Sequence, residues 1–270
     1  MPLDGLLKVR FASLGSGSQG NALIVEAGST YVLLDCGFGL ADTTRRLARI
    51  GIRPEQLCAI VITHEHNDHI GGAARFARKH EIPIWMTAGT YRGLEKLFET
   101  DIDLHLIQGY APFPVDDIAI EPYPVPHDAR EPAQFIFSDG ARRLGVLTDV
   151  GQATAHIQRC LSGCDALVME CNHDPALLAC SDYPETLKQR ISGRFGHLDN
   201  AQAADLVAAL DCTRLQHVLA AHLSESNNRP ALAREALARA LVYSGLDWDR
   251  GTGRRLALAS DRMTSDRDTQ

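Results

Sequence analysis

Three imidazoles and two carboxylates crowd into seven residues, Thr63-His64-Glu65-His66-Asn67-Asp68-His69, in a chain with 11 histidines among 270 residues. Imidazole and carboxylate suit Zn²⁺, Mn²⁺ or Fe, and the lack of thiolate argues against a closed structural zinc knot. The run follows apolar Cys58-Ala59-Ile60-Val61-Ile62 and precedes Ile70-Gly71-Gly72. That order predicts a buried strand, a tight loop and then a helix. Such a loop aims His64 and His66 to one side and turns Asp68 and His69 to the other. One short segment could therefore supply two neighbouring metal ions. The bland alternative is a polar surface loop, for which three histidines in six positions is a large local excess.

Other segments must converge on this loop. Short apolar or alternating runs over 8–14, 22–26 and 31–35, divided by Gly/Ser turns, predict opening strands. A helix over 43–50 stops at Gly51. After strand 59–62 and the His-rich loop come a helix over 72–79, a strand over 82–86 and a helix over 90–98. Strand 118–125 leads into Pro126-His127-Asp128. Runs 134–138 and 142–147 predict a hairpin around Asp139-Gly140, ending in Thr148-Asp149. Strands 166–170 and 217–221 then alternate with helices over 153–161, 183–191, 201–210 and 230–243, and 254–259 closes a sheet edge. Two packed sheets covered by helices follow from this order. One domain over 1–260 with a disordered tail over 261–270 is the expected organisation.

Three further residues sit where predicted strands end: His127, Asp149 and His222. Each alone reads more readily as a surface or core-edge residue than as a ligand. With the His-rich loop they form a series that resembles the metal motifs of the metallo-β-lactamase fold, a four-layer αββα sandwich. Gly15-Ser16-Gly17-Ser18-Gln19-Gly20-Asn21, Glu170-Cys171-Asn172-His173-Asp174, Gly196-His197-Leu198-Asp199-Asn200 and Ala221-His222-Leu223-Ser224-Glu225-Ser226-Asn227-Asn228 extend the likeness. Together they are similar to the WalJ/YycJ branch, bacterial cytoplasmic 5′–3′ exonucleases of single-stranded DNA.

The resemblance implies one divalent ion, zinc or manganese, held by His64, His66 and His127. A second would be held by Asp68, His69 and His222, with Asp149 bridging the pair. Two such ions ionise the water between them near neutral pH, and that hydroxide is the expected nucleophile. Asp68 would both ligate and orient it. His197 resembles the phosphate-contacting histidine of nucleases of this fold and would assist the leaving group or the developing oxyanion. On its residues alone it also reads as the start of a helix capped by Asp199. Asn21, a candidate substrate-binding residue, could contact a metal-bound water, close the site or be a turn residue. Asn172 and His173 are candidates for lining the substrate groove, and Glu170 could equally support a metal ligand.

Composition bounds the rest. The chain is 45% hydrophobic and 23% charged, ordinary for a soluble enzyme. No apolar run reaches membrane-spanning length, and no secretory signal is evident at the start. Seven cysteines without CxxC spacing fit reduced thiols and a cytoplasmic location. A net charge of −7 argues weakly against nonspecific nucleic-acid binding. Arg75, Arg78, Arg142, Arg143, Arg190, Arg194 and Arg229 could form a local basic rim. The leading expectation is a metal-dependent phosphodiester hydrolase acting on single-stranded DNA. Its rivals are hydrolysis of a small phosphodiester, thioester or lactam on the same site, and a non-enzymatic metal-binding regulator. Oligomeric state is left open.

Overall fold

The computed structural model describes residues 9–98, 101–108, 110–243 and 255–259. One sheet holds, in spatial order, β1 (Arg10–Gly15), β2 (Ala22–Ala27), β3 (Thr30–Leu34), β4 (Leu57–Val61), β5 (Ile84–Thr87) and β6 (Leu104–Ile107). The other runs from β7 (Phe113–Val115) through β8 (Ile118–Pro124), β9 (Ala133–Ser138), β10 (Arg143–Leu147), β11 (Ala166–Glu170) and β12 (His217–Ala221) to β13 (Arg255–Leu258). Strands β3 to β6 are mutually parallel, as are β10 to β13. Their C-terminal ends therefore open at one end of each sheet, where loops of α/β folds carry ligands.

The period of two along each strand decides which layer a side chain enters. In β4, Ala59 and Val61 face the second sheet and join Val25, Val32, Phe135, Phe137, Val146 and Val168. Ile60, and Ile62 just beyond the strand, point the other way, onto Leu47, Ala73 and Phe76 of the helices Leu40–Arg49 and Ala73–His80. On the far side Leu167, Met169 and Val218 meet Ile157, Leu206 and Leu237 from the helices Ala155–Leu161, Asn200–Ala209 and Pro230–Tyr243. Strands buried on both faces explain the continuous apolar runs in the sequence. The layers are helix, sheet, sheet, helix, the four-layer αββα sandwich.

Most predicted elements are present, and β11 and β12 have the expected ends. The expected helix over 90–98 is instead a turn of helix at Ala88–Tyr91 and a 3₁₀ turn at Glu95–Leu97. Gly93 between them takes φ +87°, which no right-handed helix tolerates. Strands β6 and β7 and the helix Pro175–Cys180 lacked a clear signal, β7 because Pro114 occupies the middle of a three-residue edge strand. Asp174 accepts the amide hydrogens of Ala176 and Leu177 and so starts that short helix. Strand 254–259 is found as Arg255–Leu258, and the tail expected over 261–270 lies outside the described residues. No described helix is long and apolar enough to cross a membrane.

At the opposite end of β10 and β11 from the His-rich loop, Asp165 ties three segments together. It accepts from Arg142 Nη1 at 2.7 Å, from the Arg143 amide at 2.9 Å and from Arg214 Nη2 at 2.9 Å. Burial would raise the carboxyl, but these donors hold it below the ordinary carboxylate range. Because the folded value is depressed, the stabilisation is complete above the unfolded value of about 4 and disappears as pH falls through the folded value. Asp165→Asn should lower stability by about 1–2 kcal/mol at pH 7, discounted for the half-exposed arginines, and by less at pH 3. Urea titrations at the two pH values measure it; an equal loss at both would remove the ionised carboxylate as the cause.

Candidate metal centre

Every element that meets the His-rich loop delivers its side chain from a strand end. His64 follows β4, His66 caps the short helix Asn67–Ile70, and Asp68 and His69 lie within that helix. His127 follows β8, Asp149 follows β10, Glu170 ends β11 and His222 follows β12. Asp35 after β3, Asp149 and His222 adopt φ of +59°, +51° and +55°. Left-handed backbone at three non-glycine residues is costly and persists where surrounding structure imposes it, as at functional sites.

The structure brings all seven predicted ligands together. His64 Nε2 is 2.9 Å from His66 Nδ1, and His127 Nε2 is 3.2 Å from that same nitrogen. His127 Nδ1 faces the Gly196 carbonyl at 3.2 Å, so its proton sits there and Nε2 presents a lone pair inward. Three imidazole nitrogens thus converge, with Asp128 Oδ1 3.4 Å from His127 Nε2. Beside them Asp68, His69 and His222 form a second group whose ligand atoms lie within 4.8 Å of one another. His69 Nδ1 donates to Asp35 Oδ2 at 2.8 Å, turning Nε2 toward Asp68 Oδ2 at 3.4 Å and Asp149 Oδ2 at 3.1 Å. Asp149 Oδ1 lies 3.5 Å from His222 Nε2 and 3.9 Å from His127 Nε2, so this carboxylate reaches both groups.

The donor set fits divalent ions. Among the described residues Asp149 Oδ2 is a buried oxygen with no hydrogen bond of regular geometry, with His69 Nε2 3.1 Å away. Asp35, Asp149 and Glu170 are all but enclosed, and buried carboxylates need positive charge or donors. The histidines answer that field: burial alone would lower His222, yet Asp149, Asp68 and Glu170 push it up to about 10. His69, equally buried, is raised well above an ordinary histidine by Asp149 and Asp35. His64 is driven well below by its own burial and by His69. Cations at this spot would take over the role those protons play.

Glu170 holds the far wall. Its carboxylate accepts from His197 Nδ1 at 3.0 Å, His222 Nδ1 at 2.9 Å, and the amides of Asp149, Val150 and Leu198 at 3.0–3.1 Å. Burial would raise it, and His197 and His222 bring it down to about 2. One side chain therefore sets the tautomer of a ligand, the backbone of the bridging candidate and the orientation of His197. Of its two sequence readings, support of metal ligands is the one this geometry favours. Glu170→Gln should weaken metal retention or turnover by about 10–100-fold, because an amide cannot accept from five donors. Metal content after dialysis and kcat measure it, and values equal to wild type would make Glu170 a fold residue only.

His197 is partly exposed, 5.3 Å from the His127 ring and 5.2 Å from the His222 ring between centroids. Burial lowers it, but Glu170 and Asp149 win and raise it above the usual histidine value. Asp199 caps the helix Asn200–Ala209, the helix start that the sequence also offered for this segment.

Asn21, Asn172 and His173 are placed differently from the expectation of substrate contact. Asn21 is buried, its Oδ1 accepting from Gly17 N at 2.9 Å and its Nδ2 donating to Asp68 Oδ2 at 3.1 Å. It steadies Asp68 from behind. Asn172 Nδ2 donates to the His222 carbonyl at 3.1 Å, and His173, 2% exposed, packs beside it. Asn172 braces the His222 loop, and both side chains lie beneath the surface instead of lining a groove. Of the expected basic rim, Arg190 binds Asp128 Oδ2 at 2.6 Å and Arg194 lies next to Phe195. Arg142 and Arg143 belong to the Asp165 cluster at the other end, and Arg78 donates to the Leu97 carbonyl. Sequence reasoning overlooked Asp35 and Thr63, whose amide and hydroxyl both donate to Asp35. The signal for Asp35 was its place after an apolar strand, the same place Asp149 holds.

A family model described as "Beta-lactamase superfamily domain" matches residues 30–222. The chain is 32% identical over 239 residues to an exodeoxyribonuclease YycJ of Bacillus anthracis, covering 88% of this chain and 90% of that protein. It is 32% identical over 241 residues, with the same coverage, to an exodeoxyribonuclease WalJ of Streptococcus pneumoniae. Among solved structures it resembles the metallo-beta-lactamase fold protein YhfI from Bacillus subtilis, with TM-score 0.70 and 16% identity over 96% of this chain and all of that one. A diphosphatase from the PhnP family gives TM-score 0.68 and 19% identity over 96% and 98%. Motif series, two-sheet sandwich and matched domain agree: this chain belongs to the beta-lactamase superfamily, in its metallo-β-lactamase fold.

Proposed function

We propose that the protein is a metal-dependent phosphodiester hydrolase, a 5′–3′ exonuclease of single-stranded DNA. The observation that carries this reading is His197, held by Glu170 at the open edge of the donor cluster. Phosphoryl transfer places charge on the phosphate and departing oxygens, which a histidine donor at that place stabilises. The names of the WalJ and YycJ relatives support DNA as substrate.

In this reading His64, His66 and His127 would hold one zinc or manganese ion and Asp68, His69 and His222 a second, with Asp149 in reach of both groups. Bound, the ions supply Lewis acidity to the phosphate and a nucleophile at neutral pH. The chain's own residues do the positioning. His197 keeps its Nδ1 proton on Glu170 and offers Nε2–H to a phosphate oxygen or to the departing oxygen. Asp68, the most exposed of the ligand carboxylates, accepts from the attacking water and aligns it. Asn21 holds Asp68 in place, and Asp35 does the same for His69. All seven cysteines are free, which supports a reducing, cytoplasmic setting.

Purified protein supplied with Mn²⁺ or Zn²⁺ should shorten end-labelled single-stranded DNA progressively from the 5′ end. Double-stranded DNA, RNA, a thioester and a lactam are compared in the same assay. Faster turnover of the thioester or lactam than of any phosphodiester would overturn the proposal.

A further inference from the structure

Five aromatic side chains are candidates for stacking on bases from sequence alone: Tyr110, Phe113, Tyr123, Tyr183 and Phe195. Burial separates them. Tyr123 is enclosed, Phe113 stacks on Trp85 at 4.4 Å between centroids, and Tyr110 and Tyr183 are half-buried. Phe195 is 46% exposed, and it is the aromatic among the large apolar side chains left exposed in the described residues.

Its ring stands in water although its backbone is locked. The Phe195 carbonyl accepts from the Asp128 amide at 3.0 Å, and Gly196 and His197 donate to the carbonyls of Gly193 and Ile191 at 2.8 Å each. Gly151, two residues after Asp149, lies against this segment so closely that a Cβ there would fall 2.5 Å from the Phe195 nitrogen. The segment is thus fastened to the loops carrying His127 and Asp149, two positions ahead of His197. Arg194 lies 4.8 Å from the ring centroid, adding positive charge to the apolar face. A fixed, exposed phenyl ring beside a guanidinium, at the edge of a phosphate-handling site, matches what unpaired bases recognise: a π-face with a cation next to it.

We propose that Phe195 is a stacking platform for a nucleobase flanking the scissile phosphate, with Arg194 at its side. The platform rests on the nuclease reading above and deepens it, since it selects unpaired strands: a base inside a duplex has no free face to offer. Stacking of this kind contributes enough that Phe195→Ala should raise KM for single-stranded DNA on the order of tenfold to a hundredfold. Phe195→Tyr should restore it.

A cycle isolates the contact. Wild type and Phe195→Ala are assayed on an oligonucleotide with all its bases and on one made abasic at the two nucleotides flanking the cleaved bond. Stacking predicts that the two losses do not add. Full additivity, or an unchanged KM on the intact strand, would overturn the platform, as would a change of oligomeric state alone. A second readout needs no turnover: in Phe195→Trp the new indole should be quenched by a single-stranded oligonucleotide and not by its duplex, and absence of quenching overturns the proposal. Quenching without cleavage of any phosphodiester by wild type would sink the nuclease reading and overturn the platform's place beside a scissile bond, leaving only single-strand binding at Phe195. Cleavage with no effect at Phe195 would overturn the platform and leave the nuclease reading standing.

Discussion

Asp68→Ala should abolish turnover on every phosphodiester, a fall on the order of 10³-fold or more, while the protein remains folded. Asp68 differs from the other carboxylates in being a quarter exposed, with Asp149 and Glu170 sealed behind it. Its Oδ2 is 3.1 Å from Asn21 Nδ2, 3.4 Å from His69 Nε2 and 3.8 Å from His222 Nε2. Burial acts to raise its pKa, and the His222 and His69 rings outweigh that, holding it far below the ordinary carboxylate range. It is therefore a permanent anion at the mouth of the cluster. Alanine removes a ligand atom and the acceptor that aligns water, but leaves a cavity open to solvent. The unfolding midpoint should move by no more than about 5 °C. Calorimetry and a 5′-labelled oligonucleotide assay measure the two effects, and near wild-type activity would remove Asp68 from the chemistry.

His197→Ala should lower kcat by on the order of 10²–10⁴ without changing the amount of metal retained. The separation of the two readouts follows from position. His197 touches Glu170 Oε1 at 3.0 Å, but its ring has solvent on one side and is not needed to complete either ligand triplet. Glu170 keeps four other donors when the imidazole is gone, so the His222 and Asp149 loops stay anchored. A substrate with a good leaving group, such as a p-nitrophenyl phosphodiester, should lose far less than an oligonucleotide, because its leaving oxygen needs no proton. Equal losses on both would make His197 a phosphate-binding group, and an unchanged rate would make it structural. With a metal content that falls in parallel, it would instead be a ligand, as its place within 4.8 Å of Asp149, Glu170 and His222 allows.

The contrast between those two residues shows what kind of information each level carries. Asp68 was legible because its neighbours in sequence are its neighbours in space: a strand, a seven-residue loop and a helix start place His64, His66, Asp68 and His69 with little help from elsewhere. His127, Asp149 and His222 were legible through apolar strands that end at them, a consequence of parallel strands releasing their loops on one side. The resemblance to a known motif series joined them; spacing along the chain alone does not say that residues 64 and 222 touch. The 3₁₀ turn at Glu95–Leu97, the short β7 and the inward placement of Asn172 and His173 escaped, since each depends on tertiary neighbours that override weak local preference.

Local chemistry in the chain was thus enough to determine that imidazoles and carboxylates would gather at strand ends, that both sheets would be buried on two faces, and that no described helix would cross a membrane. Only the packed tertiary structure decided which nitrogen of each histidine faces inward, because that follows from partners far away: Asp35 for His69, the Gly196 carbonyl for His127 and Glu170 for His222. It also decided that Phe195 stays in solvent while Tyr123 does not. The reason is physical: a hydrogen bond or a buried face needs a second group, and the distance to that group is set by the fold and not by position along the chain.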